Sequence, residues 1–232
     1  ESPTIKADLV STRWLLGGAA NLVKHLRRFT KNIDFFTSVK KPGLEMLSEL
    51  GINILNFSKS QTNIKSRYWI KNGDSEYKIL QINHAKVLNY DKEIFSEFRE
   101  KVTLSNYDTV IVSDYRLGLV SEQLVKFIAL NAIYSIGASQ LSDKEQNFDW
   151  FVDFDLVVCN EKEAAYASMC KNLCVTLGDR GCMVGDNLFS AKKINCDSAI
   201  GAGDAFLAAY SITKDPIEAN NYARKYLEGN RV

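Results

Sequence analysis

The sequence has little of what marks a membrane, secreted or nucleic-acid-binding protein. Its apolar runs, such as 156–159 and 206–210, are far shorter than the roughly 20 residues that a membrane helix needs. Lys and Arg total 29 against 28 Asp and Glu, so bulk charge gives no reason to expect nucleic acid as a partner. The first residues lack the basic and then apolar pattern of a signal peptide. We therefore expect a cytoplasmic protein with no membrane and no nucleic-acid partner.

Cysteine and histidine are also scarce, which weakens the case for a disulfide framework or a metal site. The five cysteines are scattered and odd in number, and Cys170 and Cys174 have no second ligand pair. We expect reduced, mostly buried thiols. His25 and His84 have no His, Cys or carboxylate at ligand spacing, so we expect both to be non-catalytic.

What is present is enough apolar sequence for one compact domain over residues 1–232. The chain has 232 residues, 46% of them hydrophobic. Short Val-, Ile- and Phe-rich runs predict buried strands, and apolar residues at helical spacing alternate with them. The pattern predicts an α/β domain with a mostly parallel sheet, with strands at 33–39, 109–112, 155–159 and 173–177 and helices at 21–29, 44–50 and 122–133.

One stretch differs from this alternation. Residues 66–71 and 76–82 resemble two strands, and Asn72-Gly73-Asp74-Ser75 between them is a strong hairpin signal. A hairpin over about 64–84 would form a small second sheet. It could be a lid over a site, or a hairpin without a function.

The sharpest local feature is Gly201-Ala202-Gly203-Asp204, with a predicted amphipathic helix directly after it. Glycines let a backbone approach a ligand closely, and free amides at a helix start attract anions. An aspartate there could meet a hydroxyl where a transferring phosphoryl group is held. The alternative is a glycine-rich loop that caps a structural helix, with Asp204 as a plain N-terminal charge.

Five segments in chain order resemble motifs of the ribokinase-like (phosphofructokinase-B type) carbohydrate kinases. They are Gly17-Gly18-Ala19-Ala20-Asn21, Ser113-Asp114-Tyr115-Arg116-Leu117-Gly118, Asn160-Glu161-Lys162-Glu163, Val175-Thr176-Leu177-Gly178-Asp179-Arg180-Gly181 and the Gly-Ala-Gly-Asp segment. The resemblance implies a three-layer α/β/α sandwich with a mostly parallel sheet and a small β-sheet lid. It also implies an ATP-dependent sugar kinase that forms a homodimer through the lid.

The same resemblance implies roles for particular residues. Asp204 would be the base, beside Gly201, Ala202 and Gly203. Glu163 would reach Mg²⁺ through water, and a requirement for a monovalent cation stays open. The nucleotide would lie against Asn160, Glu163, Thr176, Gly178 and Gly181, and the sugar against Gly17, Gly18, Asn21 and Asp114.

Within this family the chain most resembles the bacterial D-glycero-D-manno-heptose 7-phosphate kinases. The segment Ile64-Lys65-Ser66-Arg67 is similar to a Thr-Lys-x-Arg stretch of that branch. The resemblance implies that Lys65 and Arg67 face a phosphorylated sugar; otherwise they are solvent-facing charges. A nucleoside or other phosphosugar kinase of the same fold, or an inactive sugar-phosphate- or nucleotide-binding module, stays open.

The sequence departs from the family pattern in three ways. Leu117 stands where the heptose branch has lysine, and Ser198 stands where the family usually has a second aspartate, six residues before the base. No counterpart of the family's first strand precedes Glu1, and the connections at 39–43 and 169–171 are short. We expect that segments of the natural chain are missing from the numbering. The mass of the intact protein tests this.

Overall fold

The computed structural model describes residues 6, 8–73, 75–143, 145–194, 196 and 199–229. Its strands are β1 Asp34–Thr37, β2 Asn53–Asn56, β3 Ile64–Asn72, β4 Ser75–His84, β5 Val110–Asp114, β6 Ser135–Ser139, β7 Leu156–Asn160, β8 Leu173–Thr176, β9 Cys182–Val184 and β10 Asn187–Phe189. Its α-helices are α1 Ala19–Leu26, α2 Gly43–Ser48, α3 Asp91–Lys101, α4 Glu122–Asn131, α5 Glu161–Ala164, α6 Ala202–Thr213 and α7 Pro216–Gly229. None of the helices described is both long and apolar enough to cross a membrane.

A mostly parallel sheet forms the centre of the fold. Its six strands run in the order β10-β9-β8-β7-β6-β5, with β5 to β8 parallel and β9 antiparallel to both of its neighbours. The strands β1 and β2 form a separate parallel pair, and β3 and β4 form an antiparallel hairpin. The predicted α/β class with a small second sheet is therefore confirmed.

The sequence pattern did not predict β6, which lies between β7 and the edge strand β5. Its residues Ser135-Ile136-Gly137-Ala138-Ser139 are small and partly polar, so they form no apolar run, yet almost all are buried. The small size has a packing reason, since a Cβ on Gly137 would lie 2.4 Å from the Phe151 ring. Phe151 is itself buried, at 1% exposure.

The helix after Gly-Ala-Gly-Asp is real, but the prediction that it is amphipathic is wrong. Every residue from 205 to 211 in α6 is buried, because the helix packs against both α1 and α7 as well as the core under the sheet. Small side chains such as Ala205, Ala208 and Ala209 allow this close packing. A helix that is apolar on nearly all of its faces is expected to be buried, and α6 is packed in this way from its second turn onward.

His25 makes a pH-dependent contribution to stability. It is 2% exposed, with Nδ1 3.1 Å from the Tyr222 hydroxyl. Burial, and then the charges of Arg28 and Lys24, lower its pKa from 6.5 to about 4. The unfolded chain therefore takes up the proton first as the pH falls below 6.5, so stability is lost progressively between pH 6.5 and about 4. The full loss is at most about 3 kcal/mol.

We expect the free energy of unfolding to fall between pH 7 and pH 5, and the His25→Phe variant to show less of this fall. Denaturant titrations at both pH values measure it. His84→Gln is the matched control, since it removes the other histidine of the sequence, which is exposed. Equal pH dependence in wild type and His25→Phe would contradict the assignment.

Candidate functional site

The first turn of α6 presents Asp204 at one end of a buried helix. Gly201 precedes the helix with φ 85°, a left-handed conformation that favours glycine. A Cβ at this position would lie 2.8 Å from the Tyr226 hydroxyl and 3.0 Å from Asn21 Nδ2. The amides of Gly203 and Asp204 lie in the first turn, where the helix offers no carbonyl partner. The turn therefore combines a carboxylate with amides that suit an anion.

Both carboxylate oxygens of Asp204 accept a hydrogen bond. Asn21 Nδ2 donates to Oδ2 at 2.8 Å, and the Tyr115 hydroxyl donates to Oδ1 at 3.1 Å. Burial raises the pKa of Asp204, while the two donors act in the opposite direction; the net shift is upward. The structure thus brings together Asn21 and Asp204, two residues that the sequence analysis selected 183 positions apart.

Tyr115 is a site residue that the sequence analysis did not select. Its ring lies against the backbone of Gly18, where a Cβ would be 3.5 Å from the ring atoms. Burial first, and then the charge of Asp204, raise the pKa of its phenol, and Glu163 adds to the same shift. Tyr115 lies in the Ser113-Asp114-Tyr115 segment, which resembles a family motif, but only Asp114 of that segment was predicted to be a site residue. Tyr115 is the residue that contacts both Gly18 and Asp204.

Asp114, the residue before Tyr115, lies in a buried polar network. It is 4% exposed, and its carboxylate accepts hydrogen bonds from Asn147 Nδ2 at 2.8 Å and from the Arg116 amide at 2.8 Å. Burial foremost raises its pKa. The network fixes the turn that follows β5, in which Arg116 has φ 59°. In this structure the contacts of Asp114 hold the turn that presents Tyr115.

Asn160 and Glu163 form a capping box at the start of α5. The Asn160 side chain accepts from the Glu163 amide at 3.1 Å, and Glu163 Oε2 accepts from the Asn160 amide at 2.8 Å. Burial raises the pKa of Glu163 against the effect of these bonds. Among the residues described, no group of three or more His, Cys, Asp or Glu could hold a metal. Glu163 could supply one carboxylate, which suits an ion that keeps most of its waters.

The segment from Thr176 to Gly181 lies beside this box. Asn160 at the end of β7 pairs in register with Thr176 at the end of β8. Gly178 and Gly181 have φ of 64° and 101°, and a Cβ on Gly181 would lie 2.1 Å from the Phe189 carbonyl. The two predicted nucleotide segments are therefore adjacent, at the carboxyl edge of parallel strands, where ligands of open α/β sheets bind.

Three other predicted residues are exposed. Lys65 and Arg67 are exposed on β3, and Arg67 Nε donates to Gln81 Oε1 at 3.2 Å. Gly17 is exposed, with open space around its Cβ position. The family position at Ser198, with Asp197 before it, lies outside the described residues.

Comparison with known proteins agrees with this architecture. No protein-family model matches the chain. The bifunctional protein HldE of Campylobacter curvus is 27% identical over 249 residues, covering 90% of this chain and 50% of that protein. The chain thus spans half the length of this curated relative.

Solved structures match over most of the chain. A ribokinase from Thermotoga maritima has a TM-score of 0.65 at 18% identity, covering 94% of this chain and 82% of that one. An uncharacterized sugar kinase from Pyrococcus horikoshii has a TM-score of 0.61 at 17% identity, and the match covers 94% of this chain and 84% of that one. Phosphofructokinase-2 from Escherichia coli, in complex with fructose-6-phosphate, has a TM-score of 0.62 at 16% identity, and the match covers 88% of this chain and 76% of that one. The chain therefore has the ribokinase-like fold, and its resemblance to the carbohydrate kinases of that fold and to HldE is confirmed.

Proposed function

We propose that the protein is an ATP-dependent carbohydrate kinase that transfers the γ-phosphoryl group to a sugar hydroxyl. The observation that carries the proposal is the Asp204 carboxylate, held by Asn21 and Tyr115 at the start of a buried helix. The fold, shared with solved sugar kinases, and the resemblance to HldE support it. The heptose-like motifs favour a sugar phosphate, such as heptose 7-phosphate, as acceptor.

In this mechanism Asp204 orients the acceptor hydroxyl and takes its proton late. The hydroxyl oxygen forms a bond to the γ-phosphorus as the bond to the ADP oxygen breaks, and ADP leaves. The amides of Gly203 and Asp204 face the charge of the transferring group. A carboxylate of modest basicity suffices, since positioning supplies most of the rate enhancement in this chemistry. Gly17, Gly18 and Asn21 would position the sugar, with Asp114 supporting them.

The nucleotide is proposed to lie along Thr176, Gly178 and Gly181, next to Asn160. Glu163 would reach Mg²⁺ through water, and the ion would neutralise charge on the phosphates. Thr176 and Asn160 are neighbours in the sheet register, which supports a shared role. A monovalent cation is a further candidate cofactor, and varying K⁺ and Na⁺ in the activity assay tests it.

An acceptor panel tests the proposed function. ADP release is measured with ATP, Mg²⁺ and a series of sugars, sugar phosphates and nucleosides, with heptose 7-phosphate included. Turnover with a sugar phosphate supports the proposal, and turnover with a nucleoside alone supports a different kinase of the same fold. Calorimetric binding of a sugar phosphate without ADP release would favour an inactive binding module.

Tyr115→Phe should lower kcat/KM about tenfold, because it removes one of the two donors that hold Asp204. The lost bond also favoured the charged carboxylate, so the acid limb of the pH profile should move to higher pH. Steady-state rates from pH 5 to 8 measure both effects. Tyr107→Phe is the control, since it removes a hydroxyl bonded to Asp34 instead. An unchanged acid limb in Tyr115→Phe would count against its role.

The β3–β4 hairpin is proposed to form a homodimer interface. Two-stranded hairpins are marginally stable alone, and this one exposes large apolar side chains: Tyr68, Trp69, Tyr77, Ile79, Leu80 and Ile82. Light scattering tests the assembly, with Trp69→Lys expected to produce monomers. A monomeric wild-type protein would refute it.

A further inference from the structure

A cavity of about 500 Å³ lies beside the base of the β3–β4 hairpin, at the carboxyl ends of β1 and β2. We call it the lysine cavity; the residues of its wall that matter here are Lys40, Lys59, Ser60, Gln61, Lys86 and Asn89. It lies in neither of the predicted nucleotide segments, and Lys65 and Arg67 are not part of its wall.

Lysines are the only charged residues in the lining of the lysine cavity, although Ser58 in the same lining donates hydrogen bonds to both carboxylate oxygens of Glu97, at 2.9 and 2.6 Å. Its lining holds three lysines and no carboxylate. Lys59 forms an ion pair with Glu93 at 3.1 Å. Lys40 and Lys86 form no ion pair with any of the residues that the structure describes. Ser60 and Asn89 have no side-chain hydrogen bond to any residue described. A concave site lined by cations and unused donors concentrates an anion.

Hydrogen bonds hold the walls of the cavity together. The Lys40 amide donates to Thr62 Oγ1 at 2.6 Å, and the Lys86 amide donates to Asn63 Oδ1 at 2.8 Å. The Gln61 side chain donates to the Lys86 carbonyl. Three chain segments, after β1, after β2 and after β4, are thereby fixed to one another. The segments that carry Lys40 and Lys86 are thus held by bonds from their own backbone to the segment that lines the cavity between them.

A short series of contacts joins the cavity to Asp204. Leu88, between the lining residues Lys86 and Asn89, donates its amide to the Leu117 carbonyl at 2.9 Å. Leu117 follows Tyr115 by two positions, and Tyr115 bonds Asp204 at 3.1 Å. The segment that carries Lys86 and Asn89 therefore lies next to the turn that carries Tyr115, whose hydroxyl contacts Asp204.

We propose that the lysine cavity binds the phosphoryl group of a phosphorylated acceptor sugar whose reacting hydroxyl lies at Asp204. This inference rests on the proposed kinase function. Ammonium groups form charge-assisted hydrogen bonds to phosphate oxygens, and Ser60 and Asn89 add neutral donors. Lys40 and Lys86 are the main determinants, because no carboxylate of the described residues neutralises them.

The test compares matched acceptors, heptose 7-phosphate with heptose and fructose 6-phosphate with fructose. For the double variant Lys40→Gln and Lys86→Gln we expect kcat/KM for the phosphorylated sugar to fall about a hundredfold. The value for the unphosphorylated sugar and the KM for ATP should change less than threefold. Lys41→Gln is the matched control, since Lys41 pairs with Glu45 at 2.8 Å and does not line the cavity.

Calorimetry separates failure of this inference from failure of the kinase proposal. Both sugar phosphates are titrated into Asp204→Asn protein with and without the two lysine changes. Binding that depends on the lysines without turnover in wild type would leave the cavity assignment standing and refute the kinase function. Three results would overturn the inference. The double variant could lose equal kcat/KM for the phosphorylated and the unphosphorylated sugar, or it could raise only the KM for ATP. Alternatively, the sugar phosphates could bind equally well with and without the two lysine changes.

Discussion

Asp204→Asn should lower kcat at least a hundredfold while ATP binding stays nearly intact. The amide keeps the size of the side chain but cannot accept the hydroxyl proton, and general-base removal typically costs 10²–10⁴ in rate. Burial raises the pKa of the carboxyl, so the wild-type rate should also fall on the acid side at a pH above the ordinary aspartate range. Single-turnover ADP release and nucleotide titration measure the two properties separately.

Asp153→Asn provides the control for this variant. Asp153 is exposed and pairs with Lys171 at 3.3 Å on the surface, so the same chemical change there should leave the rate unchanged. The Asn21 amide donates to Asp204 in wild type, and in the variant it can donate to the amide oxygen in a weaker, neutral hydrogen bond. The fold should therefore be kept, and circular dichroism checks this. Activity above about a hundredth of wild type would count against Asp204 as the base.

Gly118→Ala should destabilise the protein by about 3 kcal/mol or more. Gly118 has φ 81°, and a Cβ there would lie 2.2 Å from the Leu88 carbonyl oxygen, which is backbone and cannot rotate away. The substitution therefore adds a steric collision to the cost of the left-handed conformation. It should also separate the turn after β5 from the segment that carries Lys86, and so weaken acceptor binding.

Gly185→Ala isolates the conformational part of this effect. Gly185 has φ 56°, and its Cβ position has no neighbour within 4 Å, so only the left-handed strain remains, about 1 kcal/mol. Denaturant unfolding of both variants gives the difference. Equal losses would mean that the contact between Gly118 and Leu88 is looser than the structure shows.

The elements that the sequence predicted well share a clear physical signal. Strands β5, β7 and β8 are continuous apolar runs, and their ends agree with the prediction within one or two residues. β6 was not predicted, because its position under Phe151 requires small side chains rather than the large apolar ones that mark a buried strand. The burial of α6 on nearly all of its faces was not predicted for a related reason. A run of small and apolar residues shows that a helix is favourable, but not how many of its faces are covered.

The sequence by itself determined the α/β class, the hairpin and the identity of the carboxylate at the start of α6, because these follow from local periodicity, turn chemistry and glycine placement. Only the tertiary structure decided that Tyr115 contacts Asp204 and that Asp114 is bonded to Asn147 in a buried network. It also decided that three lysines from separate segments share one cavity. Contacts of this kind join residues far apart in the chain, and they depend on strand order and loop packing, which leave no periodic trace in the sequence.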